Sequence, residues 1–127
     1  MPLNGFPDTT KKRTVTYNPF DVVVVPFPFT DRQADKRRPA LILSDERQFN
    51  KPTGHAVLAM ITSQKNPEWP LDTPITGNRE AGLTAPSKVR MKLFTLYQRL
   101  IIKKIGTLKN KDKQAVTKAL GRLLALA

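Results

Sequence analysis

Five stretches of the chain read apolar at strand length, and one near the end repeats at helical period. DVVVVPFPF (21–29) is β-branched and aromatic, which favours a strand. Pro26 and Pro28 have no N–H to give a ladder, so an edge or a bulge belongs there. RPALILS (38–44) is short and continuously apolar, the pattern of a strand buried on both faces. HAVLAMITSQ (55–64), VRMKLFTL (89–96) and RLIIKKIGTL (99–108) supply three more strands. The polar segments 30–38 and 44–54 read as loops. Residues 65–88 hold four prolines and two glycines, which excludes a long helix and leaves only short extended pieces around Leu71–Ile75.

From Asn110 onward, Ala115, Val116, Ala119, Leu120, Leu123 and Leu124 form one stripe at helical spacing, predicting a helix over about 111–126. Asn110 suits the N-cap, and Asp112 falls in the first turn, where the helix dipole favours an anion. Gly121 costs such a helix about 0.5–1 kcal/mol against Ala, which reads as a position of close packing. Residues 1–17 combine Pro2, Gly5 and Pro7 with Lys11, Lys12 and Arg13 and have little to bury, so they are expected to form a mobile basic arm. Residues 18–127 then make one domain, mainly β with one C-terminal helix, curled into a small and mostly antiparallel barrel. A chain of 127 residues can bury a core of that kind.

Charge changes the picture. Lys and Arg number 22 against 10 Asp and Glu, a net charge of +12, which calls for a polyanionic partner and favours nucleic acid over a membrane surface. From Ala81 onward eleven cations (Lys88, Arg90, Lys92, Arg99, Lys103, Lys104, Lys109, Lys111, Lys113, Lys118 and Arg122) face only Asp112. Scattered lysines usually mean a solvated surface, but an excess of ten reads better as a surface for polyphosphate. No cysteine is present, so disulfides, iron–sulfur clusters and Cys-containing zinc sites are excluded, and a Ser-His-Asp mechanism would have to use His55. His55, at a strand start, reads as a surface residue instead. No apolar run approaches the roughly 20 residues of a membrane span, and the N-terminus lacks an apolar signal core, so a cytoplasmic protein is expected.

Three constellations can carry chemistry. Lys36, Arg37 and Arg38 end the loop 30–39 in an Arg-Pro step at the root of a strand, where an arginine is held rigidly enough to clamp a phosphate. A charged hairpin balanced by Asp31 and Asp35 is the plainer reading of the same loop. Thr62, Ser63 and Gln64 close an apolar strand with groups that can orient a phosphate or a ribose hydroxyl, or that simply turn the chain. Of Trp69, Phe27, Phe29 and Phe94, Trp69 in its Pro-rich loop is the best candidate to stack on a base, and the others read as core or interface.

In order along the chain, DVVVVPFPFTD (21–31), KRRPALILSD (36–45), LAMITSQ (58–64), Asp72-x-x-Ile75, AGLTAPSKVR (81–90), KLFTL (92–96), LIIKKIGTL (100–108) and Asp112-x-x-x-Val116 resemble the MazF/PemK family of toxin endoribonucleases, leaving only residues 1–18 outside. The resemblance implies an SH3-like barrel with a C-terminal helix, related in shape to the gyrase-poisoning toxins, and a homodimer. It also implies cleavage of single-stranded RNA without a metal or other cofactor, by attack of the ribose 2′-OH on the adjacent phosphate. Neutralisation by a cognate antitoxin with an acidic segment comes with it.

Carried over by position, Arg38 would bind and stabilise the scissile phosphate and protonate the leaving oxygen. Thr62, with Ser63 and Gln64, would orient the 2′-OH or the phosphate. Arg90 would be a second phosphate contact, joined by Arg37, Lys36 and Trp69 on the RNA. Where relatives place an acid before the Arg-Pro step this chain has Gln33 between Asp31 and Asp35, and Asp35 is the candidate base. Two family acids are missing: Arg90 is followed by Met91 and Lys92, and Tyr97 follows the Thr-Leu step. These departures keep a second expectation open, an inactive nucleic-acid- or antitoxin-binding module of the same fold. A gyrase-type toxin is a third, but it would not call for the Arg-Pro and Ile-Thr-x-Gln pieces.

Overall fold

The computed structural model describes residues 15–27 and 36–126. Six strands form one sheet: β1 (Asp21–Phe27), β2 (Lys36–Ile42), β3 (His55–Ser63), β4 (Thr73–Pro74), β5 (Ser87–Tyr97) and β6 (Lys103–Thr107). Their order across the sheet is β4-β5-β3-β2-β1-β6, and every neighbouring pair is antiparallel. A one-turn helix, α1 (Asn78–Ala81), lies between β4 and β5, and α2 (Asn110–Leu123) ends the chain. The mainly β architecture with one long terminal helix is the expected one, a sheet curled into a half-barrel.

Alternation along the strands makes two cores. Val22, Leu41, Ala59, Ile61 and Val89 pack with Leu108, Val116 and Ala119 on the helix side. Val23, Val25, Ala40, Ile42, Ala56, Leu58 and Leu96 pack with Tyr17 and Ile101 on the other. Ala40, Leu41 and Ile42 have no exposure at all and divide between the two clusters, so the unbroken apolar run of β2 reflects burial on both faces. Pro26 lies beyond Val24–Lys103, the last pair of β1 with β6, at the open end of that ladder; Pro28 falls outside the described residues.

The sheet's two edges are stitched together. Gly82, just after α1, and Gly106 in β6 bring backbones so close that a Cβ at either would overlap the other segment's main chain. Asp112, 1% exposed at the start of α2, accepts hydrogen bonds from Thr76 N (3.0 Å), Thr76 Oγ1 (2.7 Å) and Gly77 N (2.9 Å), just past β4. It therefore ties the helix to the opposite edge. Burial pushes its carboxyl up, but the bonds from Gly77 and Thr76, with Lys109 nearby, hold it below the usual carboxylate range.

Asp112→Ala strands the buried N–H of Gly77, and its expected cost is about 2–3 kcal/mol in urea unfolding. Because the folded-state pKa is depressed, the stability that Asp112 contributes is complete above roughly pH 4 and fades as pH falls below that. The acid limb of the stability profile should therefore flatten in the variant. An unchanged limb would remove Asp112 from the clamp.

Several local expectations are corrected. Lys109 occupies the N-cap position of α2 and Asn110 is the first helical residue, with no side-chain cap. The helix ends at Leu123, and of the expected stripe Val116 and Ala119 are buried and Leu120 packs partly buried against the same core, while Ala115, Leu123 and Leu124 are exposed. Gly121 faces open space, so close packing does not explain it. The polar segment 44–54 contains a π-helical turn (Glu46–Asn50) capped by Asp45, which accepts from Arg47 N and Gln48 N.

Asn50, fully buried, donates to Tyr17 O at 2.9 Å, while Tyr17 N donates to Gln98 Oε1 at 3.1 Å. Tyr17, assigned to the arm from sequence, thus belongs to the core. The long-range partners that bury it leave no local signature.

Candidate functional site

The face of the sheet that carries Val23, Val25, Ala40, Ile42, Ala56 and Leu58 turns polar at one end. Continuing each strand by twos along that face reaches Phe27 on β1, Arg38 on β2, Met60 and Thr62 on β3, and Arg90 and Lys92 on β5. Register brings them side by side: Val25 pairs with Arg38, Ala40 with Met60, and Met60 with Arg90. A bulge between Ala59 and Met60 inserts Met91 and Lys92 into β5, which turns Lys92 into the same space without inverting the strand's faces. With Ile61, these residues line a cleft of about 150 Å³.

Arg38 forms no ion pair among the described residues. Its guanidinium lies 5.2 Å from the ring centre of Phe27, and its Nε is buried without a hydrogen-bond partner among the described residues. A desolvated donor without an acceptor among the described residues suits an anion. Phe27, expected in the core, forms the floor under that group. Lys36 and Arg37 precede Arg38 on β2 and are exposed. Asp35, the expected base, lies outside the described residues, as do Phe29, Asp31 and Gln33.

Thr62 is half-buried and its Oγ1 accepts from Asn66 Nδ2 at 2.5 Å. Ser63 and Gln64 do not join the cleft. Ser63 Oγ accepts from Lys65 N, and Gln64 Nε2 donates to Ser87 O, so both close the turn after β3. Among the described residues no acid lines the cleft.

Arg90 is the opposite of Arg38. Its Nε and Nη2 donate to Asp72 Oδ1 (3.2 Å) and Oδ2 (2.9 Å), Nη2 also donates to Pro67 O (2.6 Å), and the group lies 4.6 Å from the ring centre of Trp69. The hydrogen bond to Asp72 raises its pKa further, so Arg90 acts as a fixed cation. Trp69 is exposed, as its loop predicts, but one ring face meets Arg90. Asp72 also takes Lys88 Nζ at 3.2 Å, and neither side chain is meaningfully exposed. Burial pushes the Asp72 carboxyl up, yet the bonds from Arg90, Trp69 N and Lys88 outweigh it and hold it at about 2.

Sequence reasoning placed Asp72 only as a piece of a motif, and Lys88 and Lys92 only as motif pieces and two of many cations. Nothing local marked their roles, because Asp72 reaches its partners across 16 and 18 positions.

The cationic surface itself is divided. Lys111, Lys118 and Arg122 are exposed on α2, which packs on the far side of the sheet from the cleft. Lys104 pairs with Asp21 at 3.2 Å. His55, at the start of β3, stacks on Tyr97 with 4.2 Å between ring centres, at the end of the sheet away from the cleft. Among the described residues no three His, Asp or Glu side chains gather around a point that could hold a metal ion, and no helix is long and apolar enough to cross a membrane.

Residues 18–124 match the family described as PemK-like, MazF-like toxin of type II toxin-antitoxin system. No curated protein matches the chain by sequence. Among solved structures, MazF within a MazE–MazF complex from Deinococcus radiodurans is similar at TM-score 0.70 and 19% identity, covering 90% of this chain and 100% of that one. A mycobacterial endoribonuclease in complex with its cognate antitoxin gives 0.69 and 15%, covering 90% and 98%. The Mycobacterium tuberculosis toxin MazF-mt6 gives 0.63 and 24%, covering 84% and 98%. At these identities the structural likeness establishes the fold.

Proposed function

The chain belongs to the PemK-like, MazF-like toxin family, and from that premise we propose that it is an endoribonuclease toxin that cuts single-stranded RNA in the cleft between β1, β2, β3 and β5. The observation that carries this reading is the convergence of Arg38, Thr62 and Arg90 on one end of one sheet face, with Arg38 Nε desolvated and without a hydrogen-bond partner among the described residues.

In the proposed reaction the ribose 2′-oxygen forms a bond to the adjacent phosphorus, and the bond from phosphorus to the 5′-oxygen breaks. The products are a 2′,3′-cyclic phosphate and a 5′-hydroxyl. Thr62 orients the 2′-OH, whose proton passes to a base, for which Asp35 is the candidate. Arg38 meets the charge that grows on the phosphorane oxygens and donates the proton that the leaving 5′-oxygen gains. Arg90 adds a second fixed positive charge, and Lys92, Lys36 and Arg37 extend the cationic track for the flanking phosphates. The nucleophile belongs to the substrate and guanidinium groups meet the phosphate charge, so this scheme needs no metal or other cofactor.

The partners follow the same premise. An antitoxin with an acidic segment suits the net charge of +12, and two of the similar toxins named above were solved with antitoxins bound. A homodimer would cover Leu123, Leu124 and Leu126, which stand exposed at the end of α2. A cytoplasmic location accords with a substrate of cellular RNA.

The test is incubation of the protein with a long single-stranded RNA in excess EDTA, with the new ends mapped. Discrete cuts bearing 5′-hydroxyl ends are expected. RNA that is bound but stays intact would leave a basic binding module and end the enzyme reading.

A further inference from the structure

Behind the cleft, one carboxylate is tied to both of its polar walls. We infer that Asp72 is a positioning residue that fixes Thr62 and Arg90 relative to one another; the inference rests on the reading of the cleft as the RNA site. The connection can be followed atom by atom. Asn66 Nδ2 donates to Thr62 Oγ1 at 2.5 Å, and Lys88 Nζ donates to Asn66 O at 2.8 Å. Lys88 Nζ lies 3.2 Å from Asp72 Oδ2, and Asp72 receives Arg90 through two donors, at 3.2 and 2.9 Å. Arg90 then holds the next carbonyl of the same loop, Pro67 O, at 2.6 Å. Two adjacent loop carbonyls are thus gripped by two cations that share one acid.

The Asp72 side chain has no exposure and that of Lys88 has 4%, so this is not a surface ion pair that water can replace. Without the charge of Asp72, the ammonium and the guanidinium would keep only the exposed Glu68, 3.8 Å from Lys88 Nζ, as a counter-charge, and no acid would bridge them. Lys88 is enclosed and Arg90 borders the cleft, so Arg90 is the group that would swing away. The loop also stores strain at this point: Leu71, next to Asp72, sits at φ 68°, a left-handed conformation that a leucine adopts only when its neighbours are clamped. Trp69 N donates to Asp72 Oδ2 at 2.9 Å, which sets the indole over Arg90.

A carboxylate that only supports the fold and one that positions the site differ in how they couple. Cleavage is measured for the full chain and for Asp72→Asn, each alone and combined with Arg90→Ala or Thr62→Ala. A positioning role predicts that Asp72→Asn lowers kcat by about 10²-fold, with a smaller change in KM. In either combined background the same substitution should cost far less, because the group it positioned is already gone. Equal factors in all backgrounds overturn the inference.

Where Asp72→Asn alone fails to fold, Asp72→Asn with Lys88→Met removes the ammonium that would be left buried. A second readout needs no activity. Trp69 is the chain's sole tryptophan, and its emission should shift in Asp72→Asn as it does in Arg90→Ala, since both take the guanidinium off the ring. If the wild type cleaves no RNA, the functional reading fails by itself, and an unchanged Trp69 emission in Asp72→Asn would overturn the positioning role separately.

Discussion

Arg38→Ala is expected to lower RNA cleavage by about 10²–10³-fold, the loss that follows removal of one preorganised donor to a developing oxyanion. Its effect on folding should be small. Among the described residues Arg38 makes no ion pair and its Nε meets no acceptor, and its contact with Phe27 is worth about 1 kcal/mol or less at a partly exposed site. Activity and stability should therefore separate cleanly, with thermal unfolding near that of the wild type. Arg38→Lys keeps the charge but loses the planar fork, so it should recover only part of the rate. Arg90→Ala is the useful contrast. Arg90 already spends Nε and Nη2 on Asp72 and Pro67, so its removal should disturb the loop as well as the rate. An Arg38→Ala protein that cuts RNA at the wild-type rate would sink the proposed mechanism.

The second large effect is on the fold. Gly82 has φ +74°, and a Cβ there would overlap the carbonyl of Ile105 in β6. An alanine meets both problems, a left-handed backbone costing about 1–2 kcal/mol and overpacking costing about 1–3 kcal/mol. The carbonyl belongs to an edge strand, and retreat would open the seam that closes the half-barrel. Gly82→Ala should thus lose about 2–5 kcal/mol in denaturant unfolding, a large part of a domain's total stability. Gly54 makes the comparison informative: its φ is +75° but a Cβ there meets nothing within 4 Å. Gly54→Ala should lose only the conformational part, and equal losses at the two sites would refute the seam.

Much of this molecule was legible in residue order. Alternating and continuous apolar runs located the strands, because side chains on a pleated strand must take turns between faces. Arg38 and Thr62, near the polar ends of β2 and β3, stood out for the same reason, since a strand that turns polar must be leaving its core; that β2 begins at Lys36 rather than Arg38 did not. Other features had no local cue. Tyr17 is buried by Asn50 and Gln98, residues 33 and 81 positions away. Ser63 and Gln64 sit beside Thr62 in sequence but turn from the cleft to close the chain.

The amino-acid order by itself determined the class of fold, the basic character of the surface and the absence of thiol chemistry, all of which are sums or periods over neighbouring residues. It also determined which family the chain resembles, through motifs short enough to read along one strand. Only the tertiary structure decided that Arg38 is uncommitted while Arg90 is held, and that the cations divide between the cleft and the far side of the sheet. It alone decided that Asp72 answers two cations at once. The physical reason is that charge is paired by distance in space, and the curled antiparallel sheet sets that distance across strands that the sequence keeps far apart.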